Sequence, residues 1–316
     1  MTRPIADSAH ASARTRRRQR SSVSLLRTAL VAALICACLF AVPVLVAATR
    51  TVAPRGSGPT NMQAQVALAG LAPGACMSFG PTSAPKSRTV FVDAGHGGLD
   101  PGVVGEVAGR TVLEKDVALA VATRLGTMLQ GDGYRVVLSR TTDSSVVRLS
   151  PSDTVTGALK DTAVERDLVA RAACANASGA SALLSIHFNA FGDPTVGGTE
   201  TFYDGARPFA AENQRLASDV QHALVSVLGT SDRGTWTDDQ VTAPSLTAAG
   251  SAYGHLIELG PAQPGYVDSP SQMPGALVEP LFLTNNSEAR IAGSASGQER
   301  IATALKDGLE KYLAGS

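Results

Sequence analysis

Four side chains capable of metal binding or proton transfer lie where the sequence predicts elements to begin or end. His96 follows the apolar run TVFVDA, His187 ends the run LLSIH, Glu114 opens an amphipathic stretch, and Glu279 lies near the end of GALVE. Two histidines and a carboxylate are a common ligand set for catalytic zinc, which leaves one position open for water. The sequence has no HExxH motif, so the ligands of such a site would come from separate elements.

Each of these residues also has an ordinary structural explanation. His96 stands in the glycine-rich stretch AGHGG, where a histidine can be a simple turn residue. Glu114 in the first turn of a helix complements the helix dipole. His187, between two apolar residues, fits a hydrogen-bonded interior histidine. The spacing of these residues alone therefore does not distinguish a zinc site from structural roles.

Strand-like runs alternate with amphipathic helical segments from residue 89 onward. The pattern indicates an α/β fold with one domain, whose mostly parallel twisted sheet has helices on both faces. Catalytic groups in such sheets collect at the carboxyl ends of strands. Residues 143–162 are predicted to form a polar loop insertion. We predict strands at 89–94, 134–140, 182–190, 197–203, 254–260 and 275–284, and helices at 114–133, 163–178, 208–228 and 297–313.

Seven motifs follow one another along nearly all of residues 89–313. They are VDAGHGGLDPGVVG, EKDVALAVATRL, YRVVLSRTTD, ERDLVARAACAN, LLSIHFNA, GGTETFY and ALVEPLFLTNNSEARIA. Taken in this order, the series resembles the zinc-dependent N-acetylmuramoyl-L-alanine amidases of the Amidase_3 family. The resemblance implies a peptidoglycan hydrolase that cleaves the amide between the lactyl group of N-acetylmuramic acid and L-alanine of the stem peptide.

The resemblance also implies roles for individual residues. By position in the motifs, His96, Glu114 and His187 would bind one Zn²⁺ per chain, and Glu279 would be the catalytic base. The base of this family stands in an E-x-G-F-x-x-N pattern, whereas residues 279–285 read EPLFLTN. Leu281 thus replaces the glycine. This difference affects the expected conformation of the local backbone but not the presence of the carboxylate.

Three further polar residues are secondary candidates. Asp93 is expected to orient the glycine loop or a zinc ligand, and Asn189 to do the same or to contact the glycan. Glu258, in HLIELG, is a rival for the catalytic base, although it lacks the F-x-x-N continuation.

The N-terminal region has the features of an export signal. Residues 1–48 carry seven arginines and one acidic residue, and the uncharged apolar stretch 28–48 is long enough to span a bilayer. We therefore predict a basic cytoplasmic N-region at 1–27 and a signal peptide or transmembrane anchor at 28–48. The rest of the chain has 20 basic and 26 acidic residues, so nucleic-acid binding is not expected.

Between the apolar stretch and the first predicted strand, the chain is rich in Ala, Gly, Pro and Ser. We predict a linker at 49–87, with one short ordered piece near residues 64–71, and the catalytic domain at 88–316. Cys76 and Cys174 are the two cysteines outside the apolar stretch. In an oxidising compartment they could form a disulfide, and two buried free thiols are the alternative.

The expected protein is thus an exported zinc amidase of the cell wall or periplasmic space, either anchored in the membrane or secreted after cleavage. Its expected partner is peptidoglycan, and no obligate protein partner is evident. A zinc carboxypeptidase acting on the stem peptide and a non-catalytic wall-binding module are the alternatives. Both share the residue types considered so far, and the wall-binding module would require a missing ligand or base.

Overall fold

The computed structural model of the protein describes residues 63–240 and 253–316, and its centre is a mixed β-sheet. The strands in these ranges are β1 (Ala64–Gln65), β2 (Ala75–Phe79), β3 (Thr89–Ala94), β4 (Val104–Val107), β5 (Arg110–Leu113), β6 (Arg135–Arg140), β7 (Thr154–Val155), β8 (Ala158–Leu159), β9 (Ala182–Ile186), β10 (Thr199–Tyr203), β11 (Asp232–Thr237) and β12 (Gly275–Glu279). Eight of them form one sheet in the order β1-β2-β6-β3-β9-β12-β10-β11. The pairs β4–β5 and β7–β8 form separate two-stranded ribbons.

The central strands β6, β3, β9 and β12 run parallel to one another. Parallel strands are buried on both faces, which explains why β3 and β9 are nearly continuous apolar runs. β10 is antiparallel to β12 and parallel to β11. The carboxyl ends of β3, β9 and β12 therefore meet at one edge of the sheet, and those of β10 and β11 lie at the opposite edge.

Helices cover both faces of this sheet, which confirms the predicted α/β fold. The helices are α1 (Glu114–Gly131), α2 (Asp161–Ser178), α3 (Ala210–Leu228), α4 (Asn286–Ala292) and α5 (Ala295–Ala314). The alternation of side chains along β3 separates the two layers, since Val90 and Val92 enter the core beneath α1, α3 and α5, while Phe91 enters the core beneath α2. The side chain of Ser294 caps α5 by accepting a hydrogen bond from the backbone N–H of Gly297 at 3.0 Å.

None of the helices in the described part of the chain combines the length and the hydropathy needed to cross a membrane. The apolar stretch 28–48, predicted to be a signal peptide or an anchor, lies outside the described residues, as does the basic region 1–27.

The predicted linker at 49–87 extends too far into the domain. Residues 75–79 form β2, which pairs antiparallel with β6 in the central sheet. Cys76 is fully buried, and its sulfur is bonded to that of Cys174 in α2, with 5.8 Å between their Cα atoms. Ala75 and Cys76 are both fully buried in the core beneath α2. The predicted ordered piece at 64–71 includes β1.

The strand predicted at 254–260 is wrong. This segment forms a turn in which the backbone N–H groups of Leu259 and Gly260 both donate to the carbonyl of Leu256, at 3.0 and 2.8 Å. Ile257 and Leu259 are buried against neighbouring side chains without any sheet pairing. Their burial produced an apolar pattern that resembles a strand.

Other strand boundaries also differ from the prediction. β12 ends at Glu279 rather than at residue 284, because Pro280 follows and has no N–H to donate. Strand β11 and the β4–β5 ribbon were not predicted. The sequence of β11, DRGTWT, is polar and contains a glycine, so it lacks the apolar alternation typical of a strand.

Candidate active site

Three of the predicted site residues meet at the carboxyl edge of β3 and β9. His96 follows β3, His187 follows β9, and Glu114 is the first residue of α1. Glu114 Oε1 lies 2.9 Å from His96 Nε2 and 3.0 Å from His187 Nδ1. The two ring nitrogens are 3.1 Å apart. One atom from each residue therefore forms the corner of a nearly equilateral triangle.

This triangle fits a zinc ion. Ligand atoms bound to tetrahedral zinc at 2.0–2.1 Å are about 3.3 Å apart, close to the observed separations. Two imidazole nitrogens and a carboxylate oxygen are ligands that Zn²⁺ favours. Three atoms with lone pairs converge here, which is unfavourable unless a proton or a cation lies between them. The three residues also line a cavity of about 330 Å³, which gives a substrate access to them.

The His96 ring is oriented by a residue that the sequence reasoning missed. Its Nδ1 lies 2.8 Å from Asp100 Oδ2. A carboxylate in this position accepts the Nδ1 hydrogen, which leaves the Nε2 lone pair directed at the triangle. The only signal in the sequence was an aspartate four residues after His96, within HGGLDPG.

The glycines around His96 are required by the geometry of the site. A Cβ atom on Gly95 would come within 2.5 Å of the His187 ring, so only glycine lets the two imidazoles approach. His96 itself has φ +59°, a left-handed conformation that few non-glycine residues adopt. Arg171 stabilises this backbone by donating to the carbonyl of His96 at 2.6 Å.

Glu114 is held on both of its oxygens by backbone donors. Oε1 accepts from the N–H of Phe188 at 2.9 Å, and Oε2 accepts from the N–H of Val103 at 2.7 Å. Burial opposes ionisation, but the imidazoles of His96 and His187 hold the pKa of this carboxyl below its usual value. The side chain is thus a fixed carboxylate, as a metal ligand needs to be.

Glu279 ends β12 and lines the same cavity. Its Oε2 is buried and has no hydrogen-bond partner among the described residues. Burial, together with the charges of Glu114 and Glu200, raises the pKa of Glu279 well above its usual value. Leu281, which replaces the glycine of the family pattern, is fully buried and does not have a positive φ angle. The backbone after the glutamate therefore does not need a glycine there.

Asn189 also lines the cavity, where Glu200 holds it in place. The Asn189 side-chain amide donates to Glu200 Oε1, and Arg233 Nε donates to Glu200 Oε2 at 2.9 Å. Glu200 pairs across strands with Glu279. The structure thus connects Asn189 to the strand pair that carries Glu279.

Asp93 acts on the glycine loop through another side chain. It accepts hydrogen bonds from Arg171 and from Ser185, both at 2.7 Å, and is completely buried. Burial opposes ionisation, but the Arg171 guanidinium holds the pKa of this carboxyl below its usual value. Since Arg171 also donates to the His96 carbonyl, Asp93 supports the loop and touches none of the three triangle residues.

Glu258, the rival for the base, also lines the cavity, although its segment is not a strand. Its side chain is buried and Oε2 lacks a hydrogen-bond partner in the described residues. Burial and the charge of Asp93 raise its pKa well above the usual value, while Arg171 opposes that shift. The cavity therefore contains two glutamates with an unpaired oxygen, Glu258 and Glu279.

Comparison with known proteins places this site in a family. The model of Amidase_3, described as N-acetylmuramoyl-L-alanine amidase, matches residues 90–311. The chain is 33% identical over 228 residues to the uncharacterised protein YqiI of Bacillus subtilis, covering 72% of this chain and 85% of YqiI. It is also 33% identical to the germination-specific N-acetylmuramoyl-L-alanine amidase of Bacillus subtilis, covering 75% of this chain and 84% of that protein.

Solved structures show the same fold. The CwlD amidase of Clostridioides difficile, determined in complex with the GerS lipoprotein, superposes with a TM-score of 0.56 at 27% identity. The similarity covers 73% of this chain and 100% of CwlD. The chain described here therefore belongs to the N-acetylmuramoyl-L-alanine amidase family.

Proposed function

We infer that the protein is a zinc-dependent N-acetylmuramoyl-L-alanine amidase that hydrolyses the bond between the lactyl group of N-acetylmuramic acid and L-alanine of the stem peptide. The observation that carries this proposal is the convergence of His96 Nε2, Glu114 Oε1 and His187 Nδ1 within about 3 Å of one another. Family membership supplies the reaction and the substrate, peptidoglycan.

An amide is a weak electrophile with a poor leaving group, so its hydrolysis needs both activation and proton transfer. One Zn²⁺ held by His96, Glu114 and His187 would polarise the amide carbonyl and make water a stronger nucleophile at neutral pH. Asp100 keeps the Nε2 lone pair of His96 available, and backbone donors keep Glu114 in place.

Glu279 is the residue that we assign to proton transfer. Its unpaired Oε2 can accept the proton of the attacking water and then deliver it to the departing amino group of L-alanine. Its raised pKa favours the first half of this task, because a carboxylate with a higher pKa is a stronger base. We also assign substrate contact to Asn189, which donates to Glu200 and lines the same cavity.

The proposed site of action is the cell wall or the periplasmic space, which the chain would reach through the apolar stretch 28–48. The disulfide between Cys76 and Cys174 suits an oxidising compartment. That the protein acts without an obligate protein partner stays a prediction, and the relative CwlD was solved in complex with a lipoprotein.

Digestion of purified peptidoglycan by the full-length protein tests this function. Intact stem peptides with a free amino group on L-alanine should be released, and Glu279→Gln should release almost none. A carboxypeptidase would instead release single amino acids from the stem C-terminus. A wall-binding module would sediment with the wall and release nothing, and either of these results would overturn the proposal.

A further inference from the structure

A second cluster of possible metal ligands lies at the other edge of the sheet from Glu279. Asp204 follows β10 and Asp238 follows β11, and because these strands are parallel, the two carboxylates come together. His255, which lies beyond residues 241–252 in the chain, joins them. The cluster is separate from the triangle at the carboxyl ends of β3 and β9, since β10 runs antiparallel to β12.

The imidazole of His255 faces two carboxylates with a single nitrogen. Nδ1 lies 3.1 Å from Asp204 Oδ2 and 3.1 Å from Asp238 Oδ1. A ring nitrogen carries at most one hydrogen, so it can satisfy only one of these oxygens. Asp204 is fully buried, and its Oδ2 has no hydrogen-bond partner in the described part of the chain. This oxygen points at the cluster without a donor of its own.

The remaining oxygens of the pair are occupied by backbone donors. Asp204 Oδ1 accepts from the N–H groups of Ala206 and Arg207, both at 2.8 Å. Asp238 Oδ2 accepts from the N–H of Leu256 at 2.9 Å. Each carboxylate is therefore held so that its other oxygen turns toward His255.

The guanidinium of Arg207, three residues after Asp204, is used elsewhere. The Arg207 guanidinium donates to the carbonyls of Gly260, at 2.8 Å, and of Ser271. Among the described residues, His255 is the one basic side chain that forms an ion pair with Asp204 or Asp238.

We propose that Asp204, Asp238 and His255 bind a second Zn²⁺ ion, distinct from the one at His96, Glu114 and His187. Two carboxylates balance the charge of a divalent ion, and an imidazole ligand favours zinc over magnesium or calcium. Three protein ligands leave one position for water, and the His255 side chain, 23% exposed, gives the ion a route of entry. The two distances from His255 Nδ1 to the carboxylate oxygens, both 3.1 Å, match the donor spacing of the first triangle.

This second ion would fix one wall of the active-site cavity. Asp238 receives the N–H of Leu256, and residues 256–259 line the cavity together with Glu279. A metal bound by Asp204, Asp238 and His255 would therefore hold the beginning of segment 256–259 next to the end of β10. The role is structural, and it holds independently of the reaction that the first site performs.

Zinc content of the full-length protein, measured by elemental analysis after removal of unbound metal, tests the proposal. Wild type should carry about two zinc ions, Asp204→Asn and His187→Ala about one each, and the double variant about none. Asparagine keeps Oδ1 as an acceptor for Ala206 and Arg207, so only the free oxygen is changed. His255→Ala should likewise lose the second zinc ion. Its matched control is His222→Ala, which removes an exposed histidine of α3 and should keep about two zinc ions.

Thermal unfolding supplies a readout that does not depend on activity. In the His187→Ala background, added Zn²⁺ should raise the melting temperature, since an ion that binds only the folded state stabilises it. The same titration with Asp204→Asn added should give no rise. A wild type with one zinc, or a second zinc that persists in both Asp204→Asn and His255→Ala, would overturn the proposal whether or not the protein proves to be an amidase.

Discussion

Replacing Glu279 with glutamine tests the role of this residue in proton transfer while leaving the fold nearly unchanged. Glutamine has nearly the same shape, but it cannot take up a proton. Because Glu279 Oε2 has no hydrogen-bond partner in the described residues, the exchange breaks no bond on that atom. It also removes a buried negative charge that faces the charges of Glu114 and Glu200.

The two effects of Glu279→Gln have opposite signs. General base catalysis contributes roughly 100-fold or more, so the rate should fall by at least that factor, which corresponds to about 2.7 kcal/mol of lost transition-state stabilisation. The free energy of unfolding should stay the same or increase, since a neutral amide costs less to bury than a carboxylate. Zinc content should not change, because Glu279 is not one of the three triangle residues.

The assay is the release of stem peptides from purified peptidoglycan, run beside thermal unfolding and zinc analysis of the same samples. Glu258→Gln is the matched control, because Glu258 also has a buried oxygen without a partner and lines the same cavity. It should retain most of its activity. An active Glu279→Gln with an inactive Glu258→Gln would refute the assignment of the base, and a marked loss of stability in Glu279→Gln would refute the reasoning about its surroundings.

Three other predictions concern the metal, the disulfide and pH. Asp100→Asn should weaken zinc binding by ~10-fold or more, because His96 loses a charged partner, and titration against a chelator would show it. Reduction of Cys76–Cys174 should lower the free energy of unfolding by about 2–4 kcal/mol, and the denatured, unreduced protein should show no free thiol outside the apolar stretch. The value of kcat/KM should rise with pH through a pKa above 4.5, because Glu279 is protonated, and therefore inactive as a base, at pH values below its raised pKa. A pH profile without this rise would contradict the assignment of the base.

The central strands and the triangle could be anticipated because their signals are local. The β-branched run TVFVDA has the length and composition of a buried strand, and β3 has the predicted bounds. Parallel strands bring their carboxyl ends together, which places His96 and His187 at one edge. Spacing alone did not show which glutamate would be the zinc ligand and which the base, and this assignment came from the resemblance to the amidases.

The features that escaped prediction depend on contacts between distant segments. β2 is a short strand of mixed composition, and its place in the sheet is set by pairing with β6 and by the bond from Cys76 to Cys174. The partnership of Asp100 with His96 depends on the path of a glycine loop. The second cluster could not be seen while β11 went unpredicted, because the position of Asp238 beside Asp204 follows from that strand.

The buried Arg171 gives the metal-binding loop a support that does not depend on metal. Its guanidinium donates to the carbonyls of Ala94, at 2.8 Å, and of His96, while Asp93 and Asp167 balance its charge. A loop ordered only by its ion loses conformational entropy when the ion binds, and its affinity falls accordingly. Here the backbone on both sides of Gly95 is already held. Folding therefore does not depend on metal uptake, so the chain can complete its tertiary structure first and bind the proposed zinc afterwards.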